Sequence, residues 1–136
     1  MLLYSTPTQH YSCLKFQVNE VKKYFGLYLT VPDAPPESLK AWNLSSTSLY
    51  VQWDPIPLEY RNGKILRYKL EMIAEEQSRK RHKVKKYTQG TSLTLWGLQK
   101  YSKYEVTVSG ITRRGQGPTQ STVVQTDEDG KTRHKQ

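Results

Sequence analysis

Six of the eight residues 79–86 are basic: Arg79, Lys80, Arg81, Lys83, Lys85 and Lys86. Cations at this density attract polyanions through sequence-independent electrostatics, whether sulfated glycosaminoglycan, acidic lipid headgroups or nucleic acid. The formal charge of the 136-residue chain is +9, and without these six residues it falls to +3. The basicity is therefore mostly one patch. The same lysines have a plainer use, because charge along a strand protects a sheet edge from pairing with another chain. Charge runs are usually solvated faces, so edge protection is the first reading and polyanion binding the second.

Other side chains capable of chemistry are scattered. His10, His82 and His134 lie far apart in sequence, and His82 sits among lysines, where a solvated surface histidine is expected rather than a ligand or a base. Glu71, Glu75 and Glu76 read as counter-charges to the basic run rather than as a general acid and base. The one cysteine, Cys13, allows neither an intradomain disulfide nor a cysteine-based zinc site. Nucleophile-elbow, phosphate-loop and zinc-protease motifs are all missing. A non-catalytic chain without catalytic, cofactor-binding or metal residues is expected. Asn43-Leu44-Ser45 is an N-glycosylation sequon, expected in a turn between strands and used only if the chain is secreted.

The elements that must position these residues read as strands. Ten tyrosines and three tryptophans suit pleated, half-buried surfaces. The clearest alternation runs from Tyr104, with Tyr104, Val106 and Val108 on one face and Glu105, Thr107 and Ser109 on the other. Leu98 and a short polar turn lead into it, the pattern of a tyrosine corner, in which the ring packs inward and the hydroxyl bonds nearby backbone. Upstream, three prolines within Pro32-Asp33-Ala34-Pro35-Pro36 break regular structure and mark a boundary. Six further short runs are separated by turn signals such as Asn62-Gly63 and Gln89-Gly90. They are Leu39–Trp42, Ser48–Trp53, Ile65–Ile73, His82–Tyr87, Ser92–Leu95 and Ser121–Thr126. Residues 113–118 read as the turn before the last of these. Seven strands and no helix predict an all-β sandwich, with Trp53, Tyr68, Leu98, Tyr104, Val106 and Val108 in the core between two sheets.

The order and spacing of these pieces resemble a fibronectin type III module, of the kind in cell-adhesion molecules and receptor-type tyrosine phosphatase ectodomains. The resemblance rests on Pro35-Pro36, Trp53, Asn62-Gly63 before Ile65 and Tyr68, Leu98 with Tyr101, Tyr104, Val106 and Val108, Gly115 and Gly117, and Thr126. Lys100 stands where the family usually has proline, and Gly110 where it usually has alanine. The family implies a seven-stranded immunoglobulin-like sandwich over 33–127. An irregular segment, 1–32, precedes it and a disordered charged tail, 128–136, follows. The family's integrin-binding Arg-Gly-Asp is replaced here by Arg113-Arg114-Gly115-Gln116-Gly117-Pro118, so that site is absent.

What the resemblance implies about function is an interaction or spacer module in the extracellular part of an adhesion or receptor protein. Its partners would be adjacent modules and cell-surface or matrix proteins. Heparan sulfate on the basic residues 79–86 is the alternative, and an intracellular structural repeat of the giant muscle-protein type a third. A nuclear localisation signal and nucleic-acid binding are discounted for a family found mostly outside the cell. No apolar run reaches the length of a membrane span, and polar residues interrupt the first thirty positions where a signal peptide would need an apolar stretch. Thr30-Val31 can be encoded with an AG just before the module, and Gly130-Lys131 as GGTAAG, a splice-donor sequence. Residues 1–30 and 131–136 are therefore expected to be intron read-through around one module of a longer receptor, with natural tails of a short protein as the alternative.

Overall fold

The computed structural model describes residues 30–75 and 83–128. They form seven strands: β1 Glu37–Ser45, β2 Ser48–Asp54, β3 Arg67–Ala74, β4 Lys83–Thr88, β5 Ser92–Leu95, β6 Lys103–Thr112 and β7 Gly115–Gln125. All pairings are antiparallel, giving a three-stranded sheet ordered β1-β2-β5 and a four-stranded sheet ordered β4-β3-β6-β7. The all-β sandwich expected from the alternation is present. Among the described residues, the expectation of no helix is corrected only by a single 3-10 turn at Leu58–Tyr60.

Alternation decides what each strand buries. Leu49, Val51 and Trp53 of β2 meet Tyr68, Leu70 and Met72 of β3 and Tyr104, Val106 and Val108 of β6 in one core. Leu95 and Ile56 complete it. The Trp53 indole stands edge-on to the Tyr68 ring, with centroids 5.6 Å apart, a geometry that favours aromatic pairs beyond the area they bury. Leu98 is half-buried and packs against this cluster. Tyr101, which belongs to the resemblance, is 65% exposed at a positive φ of 48° and adds nothing to the core.

The expected strand bounds fail at both ends of the module. β1 is nine residues rather than four, because a shift in register at Ser38 (φ 51°) lets Glu37 pair with Asp54 ahead of the Leu39–Trp42 run. The last strand begins at Gly115, not Ser121. Pro118 is tolerated there because β7 is an outer strand and its register with β6 shifts between Ser109 and Ile111. Gly110 lies in that irregularity. A Cβ at this position would come within 2.4 Å of Ile56 Cδ1. The end of the Ile56 side chain therefore occupies this space, and an alanine at 110 would require that flexible end to move.

The chain comes in at one pole and leaves at the other. Asn62 Nδ2 donates to Val31 O at 2.9 Å and the Asp33 N–H to Tyr60 O at 2.8 Å, fixing the incoming segment against the loop between β2 and β3. Asn62 and Gly63 both have positive φ (53° and 147°), so the turn needs these residue types. At the opposite pole the segment from Leu98 to Ser102 crosses from one sheet to the other. The Tyr104 hydroxyl accepts the Gln99 N–H at 2.8 Å, the bond expected of a tyrosine corner. Thr126 closes the arrangement. Its Oγ1 donates to Gln99 O at 2.7 Å and accepts the Ser102 N–H at 2.9 Å, while its own N–H reaches Ser102 O at 3.0 Å.

Candidate functional site: a cationic face and an open edge

The outer face of the four-stranded sheet is built by the odd-numbered residues of β3. Arg67, Lys69, Glu71 and Ile73 alternate with the buried Tyr68, Leu70, Met72 and Ala74. The β3–β4 register sets Lys69 beside Tyr87, Glu71 beside Lys85, and Ile73 beside Lys83. Lys83, Lys85 and Tyr87 therefore share the outer face with Arg67 and Lys69. Arg67 lies over the Tyr87 ring, 4.6 Å from its centroid, which orients the guanidinium and shields its stem. Lys69 also donates to Gln116 Oε1 of β7 at 3.1 Å.

Glu71 is the electrostatic centre of this face. Lys69 Nζ stands 2.5 Å and Lys83 Nζ 2.7 Å from its two carboxylate oxygens. Hydrogen bonds first from Lys69 and then from Lys83 hold its pKa at about 2, well below the usual 4.5, against a smaller opposing effect of burial. Glu71 lies in mid-strand rather than at a strand end, where it neutralises part of the patch and ties β4 to β3.

The basic run of the sequence is divided by the fold. Lys83 and Lys85 face outward, but Lys86 pairs with Leu70 and turns to the opposite side with Val84. Arg79, Lys80, Arg81 and His82 lie outside the described residues. Arg67 and Lys69 join the cationic face although no linear charge run includes them. Their signal was the alternation of β3 itself, which the density of charge at 79–86 outshone. Asn43 belongs to strand β1, not to a turn. It pairs with Leu49 and so shares the inward face, and its Oδ1 is buried without a hydrogen-bond partner. Among the described residues no group of three His, Cys, Asp or Glu side chains is placed to hold a metal. No described helix is long and apolar enough to cross a membrane.

Lys86 stands at the rim of a second feature. Between β4 and β5, where the two sheets face each other at an open side, lies a groove of about 560 Å³. Its floor is apolar, formed by Met72, Ala74, Leu95 and the Tyr104 ring, all buried. Trp96 forms one wall and is 72% exposed. The chain leaves β5 through Gly97 at φ +72°, a conformation that lacks strain only for glycine. The Leu98 N–H then bonds to Thr47 O at 2.9 Å, anchoring the segment behind the wall.

Comparison with known proteins agrees with this architecture. The family model of the fibronectin type III domain matches residues 34–127. Receptor-type tyrosine-protein phosphatase F of Mus musculus is 39% identical over 103 residues, covering 74% of this chain and 5% of that protein. Protein sidekick-1 of Gallus gallus is 38% identical over 96 residues, covering 70% of this chain and 4% of that protein. The chain thus spans about a twentieth of the length of these relatives. Among solved structures, the FN5 domain of Drosophila Lar is similar with a TM-score of 0.59 and 30% identity, covering 71% of this chain and 98% of that domain. Residues 34–127 carry the family match, and the chain belongs to the fibronectin type III family.

Proposed function

We propose that this chain is a non-catalytic interaction and spacer module of a longer receptor or adhesion protein, standing end to end with neighbouring modules outside the cell. The observation that carries the reading is the placement of the two connections. Val31 is held against the β2–β3 loop at one pole and Thr126 against the Gln99–Ser102 crossing at the other. A module with its connections at opposite poles adds its full length to an array and leaves its sheet faces free for partners. The relatives support the setting, since they include a receptor-type phosphatase and a cell adhesion molecule, of each of which the chain matches one small part. The reading is tested by joining two copies head to tail, Glu128 to Thr30, and measuring small-angle X-ray scattering. An elongated particle close to twice the length of one module is expected. A compact particle overturns end-to-end stacking.

The cationic outer face favours a second reading, binding of heparan sulfate by Lys83 and Lys85 together with Arg67 and Lys69, and with Arg79, Lys80 and Arg81 of the adjoining segment. Engagement of Lys69 and Lys83 by Glu71 lowers the charge available for it. On a heparin column, wild-type release well above physiological salt, with earlier release of a Lys83→Glu/Lys85→Glu variant, is the expected sign. Equal release of the two refutes it. Glycan on Asn43 has no support in the geometry, because attachment at Nδ2 requires this inward-facing side chain to turn out of β1.

A further inference from the structure

We propose that the open edge between β4 and β5 is a docking site for an extended, acidic segment of a partner protein that carries one large apolar side chain. This goes beyond the spacer role, which uses only the two poles and would survive loss of this edge. Four observations converge on it.

The groove has the size and lining of a ligand site, about 560 Å³ over an apolar floor of Met72, Ala74, Leu95 and Tyr104. Beside it, β4 is an outermost strand, paired among the described residues only with β3. One row of its backbone N–H and C=O groups is therefore available to an added strand, the means by which many domains capture extended peptides. Side chains of an added strand alternate between faces. One apolar residue would enter the groove while its neighbours lie over the outer face.

Charge selects which segment fits. Among the described residues no carboxylate lines the groove; its rim carries Lys86, and Lys85 stands on the other face of the same strand. Acidic residues flanking the apolar anchor would meet a lysine on either face. The same lysines discourage pairing with a neutral or basic strand. On the outer face Glu71, beside Lys85 in the register, is already occupied by Lys69 and Lys83.

The wall is prepared in advance. Trp96 is exposed to solvent although the core lies beside it, and the segment behind it is fixed by the Leu98–Thr47 and Gln99–Tyr104 hydrogen bonds. An aromatic residue held at the rim of an apolar floor is the composition of an interface anchor point, and its fixed setting lowers the ordering cost of association. A sulfated glycan offers no apolar group for this floor, so it would bind through charge alone.

The experiment uses two fluorescein-labelled ten-residue peptides of alternating Asp and Thr, one with Phe in place of a central Asp, so that the flanking Asp side chains share its face with Lys86, and the other with Ala at that position, titrated with the full chain by fluorescence anisotropy. The Phe peptide is expected to bind with a micromolar Kd. Affinity is expected to fall about tenfold or more for the Ala peptide, for Trp96→Ala and for Lys86→Glu, two substitutions of exposed side chains, with thermal melts confirming that both variants fold. Lys40→Glu, on the other sheet, is expected to leave Kd unchanged. Equal affinity for the two peptides, or no loss in Trp96→Ala, overturns the proposal in favour of simple polyanion attraction. Absence of binding at millimolar peptide overturns it as well.

Discussion

The two sides of the sandwich are closed by different means. On one side β1 lies beside β7, with the Leu39 N–H reaching Gln120 Oε1 of the other sheet at 3.4 Å. At the pole where the chain leaves, Thr126, Gln99, Ser102 and Tyr104 form a hydrogen-bonded clasp that runs up to the edge of the groove. On the other side β5 and β4 leave a groove that reaches buried core residues, and β4 is held chiefly by its ladder to β3 and the Glu71–Lys83 pair. The difference teaches where this module invests its stability. The clasp satisfies backbone groups that a sheet-to-sheet crossing would otherwise strand. The open side leaves backbone and aromatic surface unused by the fold, which is where a partner can be bound without unfolding anything.

The largest expected effect removes the contrast altogether. Trp53 is 1% exposed and packs between both sides. Its Nε1 has no hydrogen-bond partner, so its contribution is volume and ring contact rather than polar anchoring. Trp53→Ala should cost roughly 3–5 kcal/mol, a large share of the 5–15 kcal/mol typical of a domain. The expected result is loss of a cooperative thermal transition, with amide exchange protection vanishing on both sides together. A soluble variant melting near the wild type would show that the two sides do not share one core.

A smaller and one-sided effect is expected at the clasp. Thr126→Val keeps the shape of the side chain but leaves Gln99 O and the Ser102 N–H without their partner. Stranding such groups costs about 2 kcal/mol in total. A lower urea midpoint with unchanged slope is expected, together with faster exchange at Tyr101 and Ser102 and unaltered protection in β4. Equal loosening of β4 would mean that the sides are not energetically distinct.

Much of this contrast was legible in the sequence on the clasp side and little of it on the open side. Alternation in β2, β3 and β6 gave the core because inward positions accept only apolar side chains. The tyrosine corner was readable from Leu98 and Tyr104, since its bonds are local in sequence. Thr126 stood out only as the end of the module. Its partners lie 24 and 27 positions away, and no local pattern encodes that separation. The first half of β7 was hidden because Gly115, Gly117 and Pro118 signal a turn wherever an outer strand does not make them tolerable. The groove was invisible for a related reason. It lies where Ala74 and Gly97 offer little side chain to fill it, between two strands that are outermost in their sheets among the described residues. Only the assembled sheet order exposes such a gap. The charge run at 79–86, by contrast, was conspicuous in sequence, yet its described part, Lys83, Lys85 and Lys86, is split between two faces by the period of β4 itself.

The smallest predicted effect sharpens the contrast from the open side. With a folded pKa of about 2 against 4.5 when unfolded, the Glu71 carboxylate favours the native state wherever it is ionised. Its contribution is complete above about pH 4.5 and is lost as pH falls through that range toward 2. Exposure of Lys83 to solvent, 44% for its side chain, screens the interaction and holds its worth to about 1 kcal/mol. Because Lys83 belongs to β4, protonation should loosen this strand before it affects the clasp. Amide exchange measured at pH 5 and again near pH 3, corrected for the intrinsic exchange rate, should show protection falling first across Lys83–Thr88. In Glu71→Gln this difference should disappear, with β4 already less protected at pH 5. If β4 in that variant keeps wild-type protection at both pH values, the ion pair does not hold the strand, and the open side is secured by its backbone ladder and Val84 alone.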